Sequence, residues 1–117
     1  MTLGRGTILL VGLAPTVGHE QAGTRPCVVV SDPAVASSQK YGVLAVVPIT
    51  TKPGEGALYP SLEPGSSGLL RTSYALIDQI RAVDKSRVLQ RYGAVGAEEI
   101  AAIDKGLALF LGLLGAH

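Results

Sequence analysis

The densest run of reactive side chains in this 117-residue chain is His19-Glu20-Gln21-Ala22-Gly23-Thr24-Arg25-Pro26. Arg25 enters an apolar segment directly before a proline, which restricts its backbone. A guanidinium held there presents a planar fork of donors that suits a phosphate. His19 is the only histidine away from the chain end, and an imidazole titrates near neutrality, where a general base is most useful. Glu20 is a second proton acceptor, and Gln21 and Thr24 are neutral hydrogen-bonding groups. Farther along, Thr50-Thr51-Lys52, Asp78-Gln79 and Arg81 supply hydroxyls, cations, a carboxylate and an amide. A rolled sheet would bring these segments beside the first. The alternative reading is a solvated loop with a surface ion pair.

Several other chemistries are absent from the sequence. There is no G-x-G-x-x-G, no G-x-x-x-x-G-K-[ST] and no H-E-x-x-H. Two histidines (His19 and His117) and the single Cys27 do not make a usual His/Cys metal site, so no metal and no cofactor is expected. One cysteine also rules out an internal disulfide and fits a reducing, cytoplasmic setting. The net charge of +1 is too small to announce nucleic acid by composition alone. It is unevenly spread, however: nine Lys/Arg face six Asp/Glu up to Ala97, and Lys105 faces three acids beyond it.

The elements that position these groups are short. Gly is frequent at 15 residues, Pro reaches 7, and aromatics make up only 4%, so the core must come from Val, Ile, Leu and Ala. Residues 7–13 read as a buried strand. Arg5 ahead of this apolar run resembles a short leader, but Pro15 would block cleavage after Ala14. No apolar stretch reaches the roughly 20 residues of a membrane span. Residues 16–24 read as a loop, 27–30 as a strand and 34–39 as a helical turn. Residues 43–49 read as a strand in which Pro48 marks an edge or a bulge. Strands are further expected at 57–60, 69–71, 74–80 (continuing through 83) and 88–92, with turns at 51–56 and 63–68 and an Asp84-capped helical turn at 84–86. Regularly spaced short strands between Gly/Pro turns indicate a small barrel. The one long helix is expected over 97–114. Ile100, Ile103, Leu107, Phe110 and Leu114 form one face, while Leu109, Leu111 and Leu113 widen the stripe toward a subunit interface. The whole chain, 1–117, reads as a single domain.

The segment Pro15-Thr16-Val17-Gly18-His19-Glu20-Gln21-Ala22-Gly23-Thr24-Arg25-Pro26-Cys27-Val28-Val29-Val30-Ser31 resembles the first signature of the MazF/PemK toxins. Pro48-Ile49-Thr50-Thr51 resembles the second. Leu76-Ile77-Asp78-Gln79-Ile80-Arg81-Ala82-Val83-Asp84-Lys85-Ser86-Arg87 resembles the third. The resemblance spans essentially the whole chain in order. It implies a mainly β fold, an SH3-like small barrel of the CcdB/MazF/PemK type with a C-terminal helix. It also implies a homodimer that cuts single-stranded RNA as the toxin of a type II toxin–antitoxin system. The partner implied is a MazE-like antitoxin with an acidic, partly disordered tail; neither a membrane nor DNA bound by the toxin alone is expected. Arg25 and Thr50 match the positions most consistently tied to catalysis in the family, His19 and Asp78 those of its PemK/Kid branch. The chain departs from the family pattern at Thr7-Ile8-Leu9, at Ala14, and at Leu76, where the Kid branch has an arginine.

RNA can be cut without a metal because its own 2′-OH can attack the adjacent phosphorus. The reading assigns Arg25 to the phosphate charge, Thr50 to a second hydrogen bond, and His19 to the base, with Glu20 or Asp78 as alternatives. Glu20, Gln21, Thr24, Thr51, Lys52, Gln79 and Arg81 are the candidate RNA contacts, although Glu20 and Gln21 equally suit loop-shaping bonds. Asp78 equally suits a structural pair with Arg81 or Arg87. Two rivals remain on the same fold. One is a gyrase-directed toxin of the CcdB kind, which the lack of tryptophan counts against. The other is a catalytically degenerate antitoxin-binding relative.

Overall fold

The computed structural model describes residues 3–13, 17–20 and 23–113. Its strands are β1 (Thr7–Gly12), β2 (Thr24–Val29), β3 (Val43–Thr50), β4 (Ser61–Leu62), β5 (Ser73–Ala75), β6 (Arg81–Asp84) and β7 (Val88–Ala94). A one-turn helix α1 (Pro33–Ala36) follows β2, and α2 (Ala97–Leu111) follows β7. The strands form one curled antiparallel sheet in the order β4-β5-β3-β2-β1-β7, with β6 also pairing with β3. The expected mainly β fold with a C-terminal helix is therefore what forms.

Both faces of the central strands are buried, which is why their sequences read as near-continuous apolar runs rather than alternating ones. Leu9, Val11, Cys27, Val29, Leu44 and Val46 point to one core, closed by α1 and β6. Ile8, Val28, Val47 and Ile49 point to the other, closed by Ile103 and Leu107 of α2. Asp32 caps α1 through the amide of Ala34 at 2.8 Å, and the Lys85 ammonium closes the segment after it, donating to the carbonyls of Val35 (3.0 Å) and Ser38 (2.7 Å).

Pro48 lies in a bulge, not at a sheet edge. β5 pairs with β3 as far as Ile49–Ala75, and β6 resumes at Val46–Arg81, so Val47 and Pro48 face the five residues 76–80. The Pro48 carbonyl accepts the Leu76 amide at 2.8 Å, but proline has no N–H to continue the ladder. The partner chain therefore swings out as a 3-10 turn, Ile77–Gln79. This corrects the strand expected over 74–80.

Two other expected strands do not form. Residues 57–60 make a turn closed by the Tyr59 amide on the Gly56 carbonyl (3.1 Å), and the strand begins one residue later at Ser61. Residues 69–71 leave the sheet after the turn at Gly65 and Gly68, both at positive φ, and Leu70 is 98% exposed. That 63–68 turn bridges the open side of the curl, where Ser66 accepts the Ala94 amide at 3.0 Å.

Helix α2 starts at Gly96, whose amide is taken by the Glu99 carboxylate at 2.9 Å. The other Glu99 oxygen accepts the Glu63 amide at 2.7 Å, so the helix start also holds the bridging turn. Gly106 is buried because a Cβ there would lie 2.6 Å from the Ala57 carbonyl. Arg5, ahead of β1, grips Asp104 of α2 through both guanidinium nitrogens and donates to the Val30 carbonyl at 3.0 Å. The helix stops at Leu111 because Gly112 turns left-handed at φ 69°, short of the expected residue 114, which lies outside the described residues. Phe110, expected on the buried face, is exposed together with Leu109, Leu111 and Leu113. Among the described residues, no helix is long and apolar enough to cross a membrane.

Candidate RNA-cleavage site

Two neighbouring cavities at the end of β3 collect most of the chemically interesting side chains. Consecutive residues at that end serve both: Pro48 lines the first, and Ile49, Thr50 and, just past the strand, Thr51 line the second.

The first cavity, about 290 Å³, is walled by His19, Glu20, Asp78, Gln79 and Arg81. Its polar groups are tied to one another's elements. Gln79, in the 3-10 turn, donates its side-chain amide to the His19 carbonyl at 3.0 Å. Arg81, where β6 rejoins the sheet, donates to the Leu13 carbonyl at the end of β1 at 3.1 Å. Glu20 accepts the Val17 amide at 2.7 Å and so closes the loop that carries His19. Asp78 accepts a 2.6 Å hydrogen bond from the Tyr59 phenol. That bond and the carboxylate's charge hold the phenol above its ordinary pKa range. Asp78 thus pairs with Tyr59, where the sequence suggested Arg81 or Arg87.

The second cavity, about 440 Å³, contains Arg25 and Thr50 together, with Thr51, Leu69, Arg71 and Tyr92. Their meeting follows from strand register. Cys27 faces Pro48 and Val28 faces Val47, so extending the ladder by two residues sets Arg25 opposite Thr50. On its other side Arg25 pairs with Val11 in β1, which holds its backbone in the sheet. The Thr50 hydroxyl oxygen accepts the Lys52 amide at 3.2 Å, which orients the hydroxyl.

Of the other candidate contacts, Thr24 pairs with Gly12 at the start of β2 and Lys52 is exposed beyond β3; neither lines these cavities. Gln21 lies outside the described residues. Cys27 is buried beneath the site, and burial pushes its thiol up to about 12 against the opposing pull of the Arg81 charge. It is a packing residue, not a nucleophile. Among the described residues, no three His, Cys, Asp or Glu side chains are grouped to hold a metal ion.

Sequence reasoning missed Tyr59, Leu69, Arg71 and Tyr92. The last three line the Arg25 cavity where the 63–68 turn folds onto β7. The visible signal for that fold was glycine: Gly68 lies against Tyr92, and Gly93 lies against the Ser66 carbonyl.

Comparisons with known proteins place the chain in a family. The family described as PemK-like, MazF-like toxin of type II toxin–antitoxin system matches residues 4–111. Endoribonuclease MazF9 of Mycobacterium tuberculosis is 37% identical over 115 residues, covering 93% of this chain and 96% of that protein. Endoribonuclease EndoA of Bacillus subtilis is 25% identical over 114 residues, covering 97% and 98%. Among solved structures, MazF of Deinococcus radiodurans superposes with a TM-score of 0.80 at 26% identity, covering 96% of this chain and 98% of that one. With the curled sheet and the terminal helix formed and the family model matching residues 4–111, the chain belongs to the PemK-like, MazF-like toxins of type II toxin–antitoxin systems.

Proposed function

We propose that this toxin is an endoribonuclease that cuts single-stranded RNA without a metal ion, in the cytoplasm, and so blocks translation and growth. The observation that carries the reading is that Arg25 and Thr50 line one cavity. A phosphodiester under attack by its own 2′-OH gains negative charge on the non-bridging oxygens. A guanidinium fork and a hydroxyl, both held by strand register, supply donors at that place before the reaction begins. The 2′-OH proton passes to a base, with His19 first in line and Glu20 or Asp78 as the alternatives. The leaving 5′-oxygen takes a proton, and the products are a 2′,3′-cyclic phosphate and a 5′-OH. Thr51, in the lining of the second cavity, and Thr24 and Lys52, near it on the chain, are assigned to contacts with the RNA strand. Gln21 belongs to the same loop in sequence, while Glu20, Gln79 and Arg81 act chiefly by shaping it.

Purified protein, incubated in EDTA with mixed-sequence single-stranded RNA, is expected to give discrete fragments ending in cyclic phosphate. Intact RNA at high protein concentration would remove this reading in favour of a non-catalytic, antitoxin-binding role.

The reading includes a homodimer. Leu109, Phe110 and Leu111 are each close to half exposed and Leu113 is 70% exposed, an apolar end of α2 suited to burial against a second copy. Light scattering is expected to give twice the chain mass, and a monomer at all concentrations would contradict it. A MazE-like antitoxin is the natural partner; the solved MazE–MazF complex of D. radiodurans holds a chain that superposes here with a TM-score of 0.75 at 25% identity. An acidic tail would order as it binds and cover the Arg25 cavity.

A further inference from the structure

Tyr59 lies in the crossover between β3 and β4, outside the three signature segments, and it joins two parts of the site. At one end its side chain packs close to Gly54 of the 51–56 loop. A Cβ on Gly54 would come within 2.8 Å of the Tyr59 Cβ and 2.9 Å of its Cγ, so this approach exists only because residue 54 has no side chain. At the other end the phenol donates to Asp78 at 2.6 Å.

The backbone around it is secured on both sides. The Tyr59 amide donates to the Gly56 carbonyl, and the carbonyls of Leu58 and Pro60 accept the amides of Ile77 (3.1 Å) and Ala75 (3.0 Å). The hydroxyl is the side-chain member of this set of ties. It lands on the one carboxylate in the wall of the His19 cavity that the 3-10 turn supplies.

We infer that Tyr59 is a positioning residue, whose hydroxyl fixes the Asp78 carboxylate beside His19 and couples it to the loop carrying Thr51 and Lys52. The inference rests on the RNA-cleaving reading of the site. It gives the departure at Leu76 a physical counterpart: the 3-10 turn is aligned from the side by a phenol. A carboxylate on a short exposed turn otherwise samples several rotamers. One held by a charge-assisted bond stays where a proton or a base amine must meet it. Misplacement of such a group by about an ångström costs rate rather than binding.

Tyr59→Phe keeps the ring on Gly54 and removes only the hydroxyl. With RNA as substrate, kcat is expected to fall about 10-fold while KM stays within about twofold. In an Asp78→Ala background the same change is expected to cost nothing further, because the two groups act as one unit. Wild-type kcat in Tyr59→Phe, or losses that multiply in the double variant, would overturn the inference. Intact RNA with the wild-type protein would instead remove the cleavage reading by itself. The coupling is then decided by NMR on the same variants. Asp78→Ala should lower the Tyr59 phenol titration toward its ordinary range, and Tyr59→Phe should shift the amide resonances of Thr51, Lys52 and Gly54. If neither moves, the phenol positions nothing.

Discussion

Arg25→Ala is expected to lower the rate of RNA cleavage by about 100- to 1,000-fold, the usual cost of removing one preorganised donor from a developing oxyanion. The size follows from where the residue sits. Arg25 is paired on one side with Val11 and lies opposite Thr50 by extension of the β2–β3 register, so its Cα is fixed by the sheet. Pro26 restricts its backbone further. A donor held in this way needs little reorganisation as charge builds on phosphorus, and alanine leaves nothing nearby in its strand to replace it. Thr50→Ala should cost less, because a neutral hydroxyl donates a weaker bond than a cation. Arg25→Lys is the informative control. It keeps the charge but loses the planar fork, so it should recover only part of the rate. The side chain is only partly buried, so both Arg25 variants should melt close to wild type by circular dichroism. A variant that unfolds, or one that cuts RNA at the wild-type rate, would contradict the assignment.

Much of the fold was legible because burial on both faces of a sheet leaves a strong trace. The runs at 7–13, 27–30 and 43–49 became β1, β2 and β3 with ends displaced by a few residues. The Asp84 cap was equally legible, and its carboxylate does accept the Ser86 amide at 2.8 Å. What failed was decided by distant partners. Tyr74 to Ile80 has strand-like composition, but Pro48, a residue of another strand, withholds the N–H that would keep it extended. Phe110 has helical spacing with Ile103 and Leu107, yet it is left 45% exposed, outside the core those two residues enter. The site divides along the same line. Arg25, Thr50, His19 and Asp78 were visible as residue types within recognisable segments. Tyr59 was not, since nothing in its own neighbourhood says that its hydroxyl will meet a carboxylate 19 positions away.

Gly93→Ala tests the closure on which the Arg25 cavity depends. At Gly93 an added Cβ would lie 2.1 Å from the Ser66 carbonyl oxygen, 2.9 Å from the Ser67 carbonyl carbon and 3.0 Å from its oxygen. All three are backbone atoms, so no side chain can rotate away. The turn must move off β7, and the Ala94–Ser66 hydrogen bond at 3.0 Å lengthens or breaks with it. Overpacking against a rigid neighbour costs about 1–3 kcal/mol, and a lost hydrogen bond adds about 0.5–1.5 kcal/mol. For a domain near this size the sum corresponds to a fall in Tm of roughly 5–20 °C. Gly42→Ala is the matched control, since nothing lies within 4 Å of a Cβ there and its φ is not positive; it should be neutral or slightly stabilising. Residues 68–69 of the same turn and Tyr92 of β7 line the cavity that holds Arg25 and Thr50. Gly93→Ala should therefore weaken RNA cleavage even well below its melting temperature, although residue 93 touches neither catalytic candidate. Wild-type stability in Gly93→Ala would show that the turn yields easily. Full activity in a clearly destabilised variant would show that the cavity does not need its far wall.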